Sequence, residues 1–331
     1  VYKQQTSLQL ILKSKAMKTK TIIQLSFFFL ALLVISLSGC KKDNTTTTTT
    51  SDTSSLQNLA NDEAQVNKAS DEAMNDINNV LSGSQGTLKA TELLPCHATL
   101  DSTGVTNDTI TYYITYNGLN CDGNLFRTGQ IEIKKHVNTY WWQTGATVIY
   151  SYKNYKVYHV LHPTKYITMN GTKTYENVTG ALLFMLGTSN IDSIIHKEWG
   201  SMTITFENNT ARTWDIARQL TYTKENSKLV LKTIGFGTAD NFTNLVIWGL
   251  NRDNEQFYDQ ITVPNVFRQA CEWDPCSGQK NDTIPTKNKG IKITWGYDSN
   301  NQLITNGDCP AKYMLDWWIN NKSGTMYLPL P

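Results

Sequence analysis

Between residues 109 and 328 apolar and polar residues alternate in short runs, and this period of two restricts the fold of the chain more than any other feature. The clearest runs are Thr109–Tyr116, Gly129–Val137, Ala146–Tyr152, Ser201–Glu207, Arg212–Thr223, Lys228–Ile234, Thr243–Trp248, Gln260–Val263, Gly290–Trp295, Asp316–Ile319 and Thr325–Leu328. They are rich in Thr, Ile, Val, Tyr and Trp, which suit a pleated surface buried on one side. Predicted turns such as Glu207-Asn208-Asn209-Thr210 and Asn320-Asn321-Lys322-Ser323-Gly324 are too short for crossovers, so neighbouring strands are expected to run antiparallel. The predicted fold class is all-β: an antiparallel, strand-rich body over residues 87–331, built as a sandwich, a rolled meander or an incomplete barrel. Asn107-Asp108-Thr109-Ile110 and Asn281-Asp282-Thr283-Ile284 follow cysteines at similar distances, which suggests a weak internal duplication within that body.

One amphipathic helix precedes the strands. Leu56, Leu59, Ala60, Ala64, Val66, Ala73, Met74, Ile77, Val80 and Leu81 recur mostly every three or four residues. Ser54 or Ser55 can cap the start and Gly83 can end it, so residues 55–86 read as a helix and linker. Its apolar stripe is expected to pack on the body of its own chain.

The amino-terminal part follows a different rule. Met17-Lys18-Thr19-Lys20 leads into an apolar run from Ile22 to Leu37 and then Leu37-Ser38-Gly39-Cys40, the order of a bacterial lipoprotein signal. Sixteen residues at about 1.5 Å each span roughly 24 Å, short of a hydrocarbon core of about 30 Å. Residues 1–39 are therefore expected to be an over-extended start plus a signal peptide, with lipid attached to the Cys40 thiol. Residues 40–54, which include Thr45 to Thr50, read as a solvated tether. The expected partner is a membrane, reached through the anchor, and the expected place is the cell envelope, as an outer-membrane lipoprotein facing the periplasm or the surface.

Charge adds little to this. Lys3, Lys13, Lys15, Lys18 and Lys20 belong to the leader; without them 25 bases face 28 acids, and no basic stripe offers itself to nucleic acid. With Cys40 committed to lipid, Cys96, Cys121, Cys271, Cys276 and Cys309 are an odd set. Their spacing suggests two closures, Cys96 to Cys121 and Cys271 to Cys309, with Cys276 left over.

Recognisable chemistry is sparse. His159-Val160-Leu161-His162 on a strand would send its two rings to opposite faces, unlike the paired histidines of a zinc-protease helix. Cys271 and Cys276 lack a second ligand pair, and no Gly-x-Ser-x-Gly elbow, P-loop or dinucleotide fingerprint occurs, so neither metal, cofactor nor catalytic residue is assigned. Glu132, Glu176, Glu198, Glu207 and Asp215 lie among the strands, where a pair about 5 to 9.5 Å apart could cleave a glycosidic bond. Most strand carboxylates face water, and that is the expectation for these. The surplus is aromatic: nine Trp and sixteen Tyr, including Trp141-Trp142 and Trp317-Trp318. Adjacent tryptophans on a strand point to opposite sides, which makes these four the candidate ligand-facing aromatics for a glycan or an envelope protein.

Several runs resemble an uncharacterised family of Bacteroidota cell-envelope lipoproteins. They are Ile247-Trp248-Gly249-Leu250-Asn251-Arg252-Asp253, Ile261-Thr262-Val263-Pro264, Cys271-Glu272-Trp273-Asp274-Pro275 with Ser277-Gly278, Ile293-Thr294-Trp295-Gly296-Tyr297-Asp298 and Gly307-Asp308-Cys309-Pro310. Ile114-Thr115-Tyr116-Asn117-Gly118 through Cys121 is similar to the family's first cysteine-closed strand pair. The resemblance covers most of residues 40–331 and implies that Cys271 pairs with Cys309; Cys276 departs from the pattern. It supplies no activity. Together these readings predict a lipid-anchored, non-catalytic binding or structural module, with a glycoside hydrolase acting on a polysaccharide as the alternative.

Overall fold

A computed structural model describes residues 50–83, 94–188 and 190–330. The predicted signal segment, Cys40, the tether as far as residue 49 and the linker 84–93 lie outside the described residues. Helix α1 spans Thr50–Gly83, so it starts within the stretch read as tether. Ser and Thr accept the first helical turn readily because they satisfy its free N–H groups. No helix among the described residues is long and apolar enough to cross a membrane.

Among the described residues fifteen strands follow: β1 (Ala98–Ser102), β2 (Thr109–Leu119), β3 (Leu125–His136), β4 (Ala146–His159), β5 (Tyr166–Asn177), β6 (Ile194–Phe206), β7 (Ala211–Glu225), β8 (Lys228–Gly235), β9 (Gly237–Ala239), β10 (Phe242–Leu250), β11 (Gln256–Arg268), β12 (Pro275–Ile284), β13 (Lys289–Tyr297), β14 (Lys312–Ile319) and β15 (Lys322–Pro329). They form one antiparallel sheet whose spatial order follows the chain, except that β8 and β9 fold aside. Strand β7 is long enough to hold two partners, β10 along Trp214–Ile216 and β8 along Arg218–Glu225. The end strands β1 and β15 do not pair with each other, so the body is an open rolled meander. Asn107-Asp108 turns the chain into β2, whereas Asn281-Asp282 lies inside β12; the two similar tetrapeptides occupy different settings.

The sheet bends where side chains would collide. Gly171 and Gly200, on adjacent β5 and β6, have φ of 137° and 145°, and a Cβ on either would fall 2.5 Å from a carbonyl oxygen of the neighbouring strand. In β4 an extra residue at Lys153-Asn154 shifts the register against both neighbours, with Asn154 at φ 52°. That bulge lets Tyr152 and Tyr155 both face inward, breaking the alternation that ended the expected strand at Tyr152.

The helix lies on the inner face. Its contacts run from Lys289 on β13, met by Ser55, to Tyr116 on β2, met by Asp76. Nine strand steps would span about 43 Å in a flat sheet, but 21 helical residues cover only about 32 Å, so the sheet curls around α1 and long side chains close the remainder. Burial of the helix is correspondingly broad: Leu56, Leu59, Val66, Ala73, Met74, Ile77, Val80 and Leu81 join the core with Ile131, Tyr150, Tyr175, Ile204, Trp214 and Phe257 from the strands. Ser54 and Asn58 near the start and a stripe through Gln57, Asn61, Ala64, Lys68, Asp71, Asn75 and Asn79 stay exposed. Disulfides Cys96–Cys121 and Cys271–Cys309, with Cα separations of 5.1 and 5.3 Å, close the two ends of the body. Cys276 is free and buried, and its thiol donates to the Asp274 carbonyl.

Candidate functional site

The inner face of a sheet ought to be apolar, yet charged residues of the sheet meet polar residues of α1 at successive points along the helix. Near its start, Lys289 Nζ donates to Ser55 Oγ at 2.7 Å and pairs with Glu255. Two turns further on, Arg252 from the β10–β11 turn grips both oxygens of Asp62 at 2.7 and 2.8 Å and also holds Glu207, with its guanidinium over the Phe206 ring. Beside it Lys280 reaches Glu63 at 2.7 Å.

The centre is the densest point. Glu198 of β6 is wholly buried between Lys173 of β5, at 3.0 Å, and Arg218 of β7, at 2.6 Å, and accepts a further hydrogen bond from the Tyr150 hydroxyl. Lys173 also donates to Ser70 on the helix at 2.9 Å, while Arg218 pairs with Asp71 at 2.7 Å. Burial alone would raise the Glu198 carboxyl, but Arg218 and Lys173 outweigh it and hold the group down at about 2. Toward the helix end, Asp76 accepts from Arg127 Nη1 at 2.7 Å and from the Tyr116 hydroxyl at 2.9 Å; burial nevertheless pushes its carboxyl up to about 6. Last, Asn78 donates to the Tyr175 hydroxyl and accepts from Trp141 Nε1, and the hydroxyl lies 2.6 Å from His196 Nδ1. Burial pushes the His196 ring down to about 3, so it is neutral.

The candidate carboxylates do not converge. Glu198 points inward beneath α1, which overturns the expectation that it faces water. Glu132, Glu176 and Asp215 occupy the opposite phase of their strands, Glu132 paired with Lys134 and Asp215 bonded to Ser201. Glu207 is taken by Arg252. His159 and His162 also depart from expectation: the chain turns after His159, so both rings lie on one side with centroids 6.0 Å apart. A hollow of about 400 Å³ before β14 is lined by Asp298, Asn306 and Asp308 among others. Asp298 Oδ1 is occupied by N–H groups of Asn300 and Gln302, and Asp308 Oδ2 by the Asn306 amide.

The four candidate aromatics separate cleanly. Trp141 and Trp142 sit in the loop between β3 and β4, not on a strand; Trp141 is 2% exposed against the helix end and Trp142 is 50% exposed. Trp142 stacks on Tyr140 with centroids 5.8 Å apart and planes at 23°. The neighbouring loop, joined by a hydrogen bond from Ala181 N to the Trp142 carbonyl, exposes Phe184. Trp317 and Trp318 on β14 are half-buried, the first covering Gly324 and the second Gly290, so both serve cross-strand packing.

Sequence reasoning missed the charged contacts with the helix because it weighs strand residues singly. The signal is nevertheless present: Asp62, Glu63 and Asp76 occupy the buried phase of the helix, and Lys173 follows Ile167, Met169 and Gly171 in the buried phase of β5. No family model, curated protein or solved structure matches the chain.

Proposed function

We propose that this protein is a lipid-anchored component of a bacterial cell envelope, similar to the Bacteroidota lipoproteins that its motifs resemble, and that its β-body is a non-catalytic module binding a glycan. The observation that carries the binding reading is the exposed, nearly parallel Tyr140–Trp142 pair with Phe184 on the adjoining loop. Flat aromatic surface of this kind matches the apolar face of a sugar ring and is rarely left in water without a partner. The anchor rests on Leu37-Ser38-Gly39-Cys40, and the two disulfides agree with an oxidising compartment.

Two measurements test the two parts. Cells expressing the full chain and fed an alkyne fatty acid should label it, and Cys40→Ser should abolish both the label and membrane retention. On a glycan array the delipidated protein should bind a defined set of saccharides, and Trp142→Ala should weaken that binding by about 2 kcal/mol, the size of an interface anchor. Equal binding by the wild type and Trp142→Ala would move the site elsewhere.

A further inference from the structure

Under the first half of α1 three fully buried carboxyl groups gather around one ammonium. Glu63 comes from the helix, Asp259 from β11, and Lys280 and Asp282 from β12. Asp259 and Asp282 face each other across the β11–β12 pair, and Lys280 lies two residues along on the same face. Lys280 Nζ stands 2.7 Å from Glu63, 3.1 Å from Asp282 and 3.3 Å from Asp259. The carboxyl oxygens approach within 4.8 Å of one another, and none of the three acids is more than 1% exposed.

Fully ionised, this group would carry three negative charges against one positive. Its strand neighbours are Ile261, Ile291 and Ile293, and the nearest cations along the helix are already engaged, Arg252 by Asp62 and Glu207 and Lys289 by Glu255. Two uncompensated charges cannot stay in so dry a place; the carboxyls must hold protons. The hydrogen bonding agrees. Glu63 Oε1, Asp259 Oδ1 and both Asp282 oxygens accept no hydrogen bond, although Lys280 is close enough to Asp282 for an ion pair. A proton on one carboxyl turns such an orphaned acceptor into a donor toward its neighbour. The Lys280 ammonium fills the centre that a bound metal ion would need.

We propose that Glu63, Asp259, Asp282 and Lys280 form a proton-held latch between α1 and strands β11 and β12, closed while two of the acids are uncharged and loosened as they ionise. Burial pushes Asp259 up to about 8, against the pull of Lys280, and burial together with the Asp282 charge holds Glu63 well above the usual carboxyl range. Both groups therefore keep protons in the folded chain that they would release on unfolding. Their stabilising effect is complete below a pH of about 4, the unfolded carboxyl value; the Asp259 share drains away as pH rises through about 8, and the Glu63 share is lost as pH climbs above the usual carboxyl range. The groups facing the latch are Glu63 from α1, Asp259 from β11, and Lys280 and Asp282 from β12, so the response is written in these four.

The test uses the full chain from Cys40 with its disulfides intact, followed by circular dichroism melting between pH 6.5 and 9 and by calorimetry in buffers of different ionisation enthalpy. The wild type should melt lower as pH rises and release one to two more protons on unfolding at pH 7 than Glu63→Gln combined with Asp259→Asn. Each single variant should flatten the pH dependence. Should the pair of substitutions prevent folding, proton release by the wild type and by Asp259→Asn alone decides the matter. Release of no proton by the wild type at pH 7, pH dependence unchanged in both single variants, or a stoichiometric divalent ion whose removal by a chelator lowers the melting point would each overturn the latch. Glycan binding plays no part in these readouts, so failure here leaves the function proposed above untouched.

Discussion

Glu198 shows how much a single position depends on its neighbours. It is a carboxylate in the interior of a sheet, stable there because two cations and a hydroxyl surround it. Removing its charge leaves Lys173 and Arg218 buried and short of a partner. Glu198→Gln should therefore destabilise the protein by about 3 to 5 kcal/mol at pH 7, measured by urea unfolding. The sign with pH follows from the depressed carboxyl: its stabilisation is present above the unfolded value of 4.5 and is lost as pH falls toward about 2. The gap between wild type and variant should accordingly narrow over that window. At this scale the sequence was least informative, since Glu198 and Glu176 look alike until their strand phases are known. Trp141 and Trp142 are a similar case, because a loop rather than a strand decides which of them is buried.

Elements were more legible. The alternating runs at residues 109–116 and 146–152 fall within strands, the run 129–137 overshoots β3 by one residue, and the three- and four-residue spacing of apolar residues falls on α1. Strands β5 and β12 escaped because their inward phases carry Gly171 and Lys173, or Lys280 and Asp282, where an apolar residue would have marked them. Those same residues bend the sheet or meet the helix. Gly200→Ala places a side chain at φ 145° against the Thr172 carbonyl, and should cost about 1 to 3 kcal/mol or more, read from the urea midpoint. In α1, Ile77 is wholly buried, and Ile77→Ala should cost about 2 to 5 kcal/mol by the same measurement. A far smaller loss would mean that the helix end is not packed as described.

For the whole molecule the question is what holds an open sheet around a helix when its two end strands never meet. Part of the answer is covalent. Cross-links spanning 25 and 38 residues each stabilise by roughly 3 to 4 kcal/mol through the entropy they remove from the unfolded chain. Replacing both cysteines of either pair by serine should lower stability by that amount, whereas Cys276→Ser, which touches no cross-link, should cost less. The rest is the helix itself: without residues 50–83, Lys173, Arg218, Arg127 and Lys280 would lose acceptors and a broad apolar face would meet water. A chain lacking that segment should aggregate or bind a hydrophobic dye in gel filtration and fluorescence assays. The sequence by itself determined the all-β class, the helix α1 and the cysteine spacing that the disulfides bridge, because periodicity and spacing are local properties that each segment carries alone. Only the tertiary structure decided that the sheet stays open, that it curls around α1, and that acids on the helix find bases on distant strands. Those pairings join residues up to 217 positions apart, and such partners become visible only when the folded chain brings them together.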